Sequence, residues 1–184
     1  MPLSPTLWRS CRVLMNPVRL RCLHVVVQNP DACVSFVAKE LRLPLPLASQ
    51  YLRDLQARGV LKVRRRSRWV FYAAKPDSSV QHAAPLLAAL AAAIDVRATT
   101  LRDIVRLLDG CSHPRRLIIL RHMRRAPVES LLKLRHETGI SVPALKRHLA
   151  KLERCGWVRH DARRWTLAGE LPRLARQLLV EVDA

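Results

Sequence analysis

Apolar positions along this chain recur mostly at helical spacing, interrupted twice by short alternating runs. The first apolar stripe covers Leu7–Leu14. Asn16-Pro17 then restarts the chain, since Asn caps a helix well and Pro suits its first turn. Leu20, Leu23 and Val27 predict a second helix over 17–28, and Asn29-Pro30-Asp31 a turn. Val34, Val37, Ala38 and Leu41 predict a third helix over 32–41. A fourth follows over 46–58 and stops at Gly59, a natural left-handed cap. The period then changes. Residues 60–63 and 69–73 read as strands of a hairpin whose tip is Arg64-Arg65-Arg66-Ser67-Arg68.

The same text returns 97 residues later. Pro17, Arg19, Leu20, Leu23, Leu52, Leu55 and Gly59 reappear as Pro114, Arg116, Leu117, Leu120, Leu149, Leu152 and Gly156, with no gap over more than forty residues. This spacing exceeds that of solenoid repeats, roughly 20–50 residues, and fits a small domain used twice. The second copy predicts helices over 100–108 (closed by Asp109-Gly110), 114–124, 128–138 and 142–154, with Ser141 as the cap of the last. Strands over 157–160 and 164–167 flank Asp161-Ala162-Arg163, and a final helix covers 171–182. Between the copies, residues 80–94 form an Ala-rich helix with few charges, expected to be buried between them.

Helix, helix, turn, helix, hairpin is the order of a winged helix-turn-helix. The expected fold is therefore mainly α with small β-hairpin wings, as tandem winged helix-turn-helix domains forming a single-chain pseudo-dimer. The divisions are a first domain over 1–75, a loop and linking helix over 76–99, and a second domain with a C-terminal helix over 100–184.

Charge adds a partner to this picture. The 184 residues hold 33 Lys and Arg against 14 Asp and Glu, a net charge of +19. Such an excess favours a polyanion, most often nucleic acid. The longest apolar stretch, 83–94, is too short to span a membrane, and the N-terminus lacks a leader pattern. Five cysteines with no C-x-x-C pair point to a reducing, cytoplasmic setting. Aromatic residues are only 4% and no single-strand RNA motif occurs, which disfavours RNA. Phosphate-binding glycine loops and zinc-hydrolase motifs are missing too, so the expectation is no enzyme, no cofactor and no metal.

Leu14-Met15-Asn16-Pro17-Val18-Arg19-Leu20, Val37-Ala38-Lys39-Glu40-Leu41, Ser49 to Leu61 and Arg66-Ser67-Arg68-Trp69-Val70-Phe71-Tyr72 together resemble the ArsR-type winged-helix repressors. The resemblance covers 7–73, and the second copy, over 101–167, is a more diverged relative. It implies a homodimeric, operator-binding repressor, in many members a metal sensor. The metal-sensing C-x-C departs here to Cys33-Val34-Ser35, and the alternative acid/His pattern on the last helix is missing, so metal sensing is not expected.

A recognition helix lies in the major groove with its first turns at the bases. In the second copy Leu145, Leu149 and Leu152 take the core side, leaving Lys146, Arg147 and His148 for DNA, with Ser141 at a phosphate. In the first copy Ser49, Gln50 and Arg53 are the candidates. Leu45 and Leu47 fit either thymine methyls or another protein element. Arg64, Arg65, Arg66 and Arg68, and Arg163 and Arg164 in the second copy, fit phosphates or a narrow minor groove. Trp69, Phe71 and Trp165 read as core, and Arg19 and Arg116 as structural. Cys33 is a candidate redox thiol, and the other cysteines read as small core residues. The partner expected is double-stranded DNA, bound by a monomeric pseudo-dimer or by a homodimer. The alternatives are a protein-interaction module and non-specific nucleic-acid binding.

Overall fold

The structure is a computed structural model that describes residues 5–67, 69–95, 99–161 and 164–182. It opens with α1 (Leu7–Leu14) and α2 (Pro17–Gln28). The Asn16 side chain caps α2 by accepting from the amides of Val18 and Arg19 at 2.9 and 3.0 Å. The predicted third helix begins later than its pattern suggests. Ala32–Cys33 is a two-residue strand, β1, and only Val34–Glu40 is helical, as α3. α4 (Leu45–Gln56) buries Ala48, Leu52 and Leu55. β2 (Lys62–Arg66) and β3 (Trp69–Ala73) pair antiparallel, Arg66 opposite Trp69. β1 adds to the other edge of β3, with Ala32 opposite Tyr72. Arg64, Arg65 and Arg66 thus lie within a strand rather than at its tip. Ser67, with φ of 51°, makes the turn.

α5 (Ala83–Asp95) leads to α6 (Leu101–Cys111), which Thr100 and Asp103 start as a reciprocal capping box. Asp109 and Gly110, expected to close this helix, lie inside it. Gly110 is there because the Trp157 indole packs on it: a Cβ would sit 2.2 Å from Trp157 Nε1. That indole N–H donates to the Leu107 carbonyl at 2.9 Å. α7 (Pro114–Arg125), α8 (Leu131–Thr138) and α9 (Val142–Arg154) follow. The start of the predicted helix over 128–138 is extended instead, and Val128 bridges Trp165 through bonds of 2.9 and 2.8 Å. β4 (Val158–Asp161) pairs with β5 (Arg164–Leu167), and α10 (Arg173–Glu181) ends the described chain.

The order α2-α3-α4-β2-β3 therefore recurs as α7-α8-α9-β4-β5. Corresponding helices also meet: α1 packs on α6, and α5 packs on α10. Cys11 of α1 reaches Cys111 of α6 in this contact, both fully buried. Ser10 Oγ and His82 Nε2 share a buried hydrogen bond of 2.8 Å, tying α1 to the start of α5. One continuous apolar core runs from Leu7 to Val182. Among the described residues, no helix is long and apolar enough to cross a membrane.

Candidate nucleic-acid interface

α9 is amphipathic, with Ala144, Leu145, Leu149 and Leu152 buried. That burial turns Lys146 and Arg147 outward, and both are exposed. His148 takes a different direction. It is half-buried, with its ring centroid 4.6 Å from that of His113 at the start of α7. Burial first, then His113 and nearby arginines, push its pKa down to about 4. His148 is thus a neutral packing ring against α7 rather than an outward reader. Ser141 holds the N-cap position and is exposed, but its side chain makes no cap bond. Pro143 in the first turn lacks an N–H of its own.

α4 presents Gln50 and Arg53 outward, with Ser49 half-buried. Here the polar groups bind one another. Gln50 Nε2 donates to Asp54 at 2.8 Å, and Arg53 donates to Gln50 Oε1 at 3.1 Å. Asp54 also pairs with Arg19 of α2 at 2.8 Å. The Gln50 amide is therefore engaged within its own helix, whereas Arg147 at the matching position stands in solvent.

Arg64, Arg65 and Arg66 are all exposed on β2. Arg64 is held by Asp31, whose carboxyl lies below the usual range, chiefly because it accepts from Arg64. Asp31 itself has a left-handed φ of 62°. Sequence pattern missed this partner because the two residues lie far apart in the chain and meet only when β1 joins the sheet. Arg164 is exposed on β5. Arg68 and Arg163 lie outside the described residues.

Trp69 departs from its expected core position and is 46% exposed, because Tyr72 takes the buried place on β3. Trp165 is half-buried and stacks on His160 at 4.3 Å. The groove between α3, α4 and β3 is lined by Val34, Leu45, Pro46, Trp69 and Val70, a feature the sequence signalled only through the apolar start of α4.

The paired arginines are structural. Arg116 is buried and donates to the carbonyls of Gly110 and Asp109 and to Ser112 Oγ, at 2.8, 2.6 and 2.9 Å. Arg19 donates to the Val13 carbonyl at 3.2 Å besides its Asp54 pair. Cys33 is half-buried with its thiol 3.1 Å from Ser35 Oγ, and that contact lowers its pKa, helped by backbone amides rather than by arginine. Cys11, Cys22, Cys111 and Cys155 are buried. Among the described residues no group of three or more His, Cys, Asp or Glu could hold a metal ion.

Comparison with known proteins gives these elements a class. Residues 113–160, which hold α7, α8 and α9, match the family described as bacterial regulatory protein, arsR family. The chain therefore carries an ArsR-family helix-turn-helix there. The match falls on the second copy, not on residues 7–73, where the closer resemblance is expected. Two curated relatives are similar over part of the chain. An HTH-type transcriptional regulator of Methanocaldococcus jannaschii is 35% identical over 57 residues, 31% of this chain and 64% of that protein. An arsenic resistance transcriptional regulator of Pseudomonas putida is 29% identical over 75 residues, 41% of this chain and 57% of that protein. The chain thus spans less than two thirds of the length of these relatives.

Among solved structures, human N-acetylserotonin methyltransferase in complex with SAM is similar at 18% identity. Its TM-score is 0.34, over 80% of this chain and 40% of that one. That neighbour is an enzyme, so the expectation of no enzyme, drawn from missing motifs, does not stand. Missing motifs test only the chemistries those motifs serve, and a scaffold does not fix chemistry. At this TM-score the likeness assigns no activity, substrate or cofactor here.

Proposed function

We propose that this protein is a sequence-specific regulator of transcription that binds double-stranded DNA, in the repressing sense that its ArsR-type likeness implies. The observation that carries the proposal is the outward pair Lys146 and Arg147 on α9, inside the segment that matches the arsR family. An Arg in the first turns of such a helix reaches guanine O6 and N7 with two parallel bonds. Arg64, Arg65 and Arg66 on β2, and Arg164 on β5, then sit at phosphates or in a minor groove, and Ser141 at a phosphate. In α4, Arg53 and Ser49 are the contacts, while Gln50 braces Arg53.

The domain division over 1–75, 76–99 and 100–184 belongs to the same proposal, with both copies acting as winged helix-turn-helix readers. It is supported by the recurring element order and by the pairing of like helices, α1 with α6 and α5 with α10. A like surface meeting its own counterpart is how a symmetric dimer associates. One chain would thus do what two chains of a dimer do, in the cytoplasm where DNA is reached directly.

Binding to a randomised duplex pool, wild type beside Arg147→Ala, tests this. An enriched motif is expected, with Arg147→Ala binding it about 10-fold or more weakly and relaxed at one guanine. Equal binding to every sequence, or none at moderate salt, would overturn the reading.

A further inference from the structure

The two recognition helices differ at their first turns. Leu45 and Leu47 of α4 are 53% and 37% exposed, and with Pro46 they replace the polar start expected of a DNA-reading helix. Their counterparts at the 97-residue offset are Val142, half-buried, and Ala144, buried. Leu45 and Pro46 continue into a groove of about 410 Å³ that they line with Val34, Trp69, Val70 and the serines Ser35 and Ser49. Exposed cations lie on the elements beside this strip: Lys39 on α3, Arg53 on α4 and Arg66, opposite Trp69, on β2. An apolar surface with exposed cations on the neighbouring elements fits a partner that is anionic outside and apolar at its centre. Duplex DNA is that partner at one base only, because thymine alone carries a methyl group on the major-groove floor. The polar alternative on α4 is muted, since the Gln50 amide is spent on Asp54 and Arg53.

We propose that the apolar start of α4 reads thymine methyl groups, so that one half-site of the operator is recognised through thymine and the other, under α9, through guanine. This rests on the DNA-binding reading above. It makes the operator chemically asymmetric, and it assigns Leu45 and Leu47 to specificity.

The test uses the full chain and the selected motif. Duplexes carry uracil for thymine in one half-site at a time, which deletes the methyl and leaves every hydrogen-bonding group. The α9 half-site is the one whose guanine preference Arg147→Ala relaxes. Uracil in the other half-site is expected to weaken binding about fourfold per contacted methyl. Uracil under α9 is expected to change nothing. The Leu45→Ala, Leu47→Ala double variant, altered only at exposed positions, should bind the thymine duplex as weakly as wild type binds the uracil one, and should ignore the exchange. Circular dichroism checks that it folds. A motif without thymine in that half-site, or one indifferent to uracil, overturns this inference and leaves the regulator reading intact. Absence of any motif overturns both. Unchanged DNA affinity in the leucine variant with loss of self-association would make the strip a protein contact instead.

Discussion

Single side chains carry most of what distinguishes the two copies. Arg116 is buried with the carbonyls of Gly110 and Asp109, the Ser112 hydroxyl and, at 3.7 Å, the Asp109 carboxylate around it. Removing one side of such an arrangement leaves the others unpaired and is costly. Three histidines have an opposite character. Burial is the first cause of the lowered pKa of His82, His113 and His148 relative to the ordinary 6.5. In the window from 6.5 down to about 4, the unfolded chain therefore binds more protons than the folded one. Stability is fully present above that window and is lost as pH falls through it. Urea midpoints measured across the window should drop steadily toward acid, with a shallower drop for His82→Gln and His148→Gln. A flat profile for wild type would contradict the buried, neutral state of these rings. The 97-residue offset made the Arg19/Arg116 pair legible in the sequence. The neutrality of His148 was not, because it depends on His113 arriving from another helix.

At the scale of elements, the clearest expectations were those with chemical punctuation at the ends. Asn16-Pro17 and a following apolar stripe set α2, and Gly156 closes α9, whereas Ser141, the cap expected there, holds the N-cap position without a side-chain bond. β1 was invisible because two residues carry no periodicity. The end of α6 was misplaced because Asp-Gly reads as a stop. What overrides that local signal is tertiary: Trp157 needs the space that a side chain at position 110 would fill. Gly110→Ala should push the indole off the Leu107 carbonyl and cost about 2 kcal/mol, read as a lowered thermal midpoint. Gly169→Ala, where nothing lies within 4 Å of the new methyl, should leave the midpoint in place. Equal effects of the two substitutions would mean that Gly110 is not shaped by Trp157. The wing arginines teach a related lesson. A run of five polar residues reads as a tip, yet the ladder to β3 extends through Arg66, and only Ser67 marks the turn among the described residues.

For the molecule as a whole, the repeat and the net charge of +19 are the sequence grounds of the proposed DNA-binding function, and residues 113–160 carry the family likeness. Legible from sequence were the duplicated order of elements and the buried α5. How the copies meet, through α1 on α6 and α5 on α10, was not, because no pattern in one helix specifies its distant partner. That arrangement gives the proposed function its central claim: one chain supplies both readers of one operator. The most direct measurement is the mass and footprint of the complex with the selected duplex, by sedimentation and cleavage protection. The account predicts one chain per operator and two unlike protected half-sites centred about 10 bp apart. Two chains on a palindromic site, or a protected stretch covering a single half-site, would contradict it.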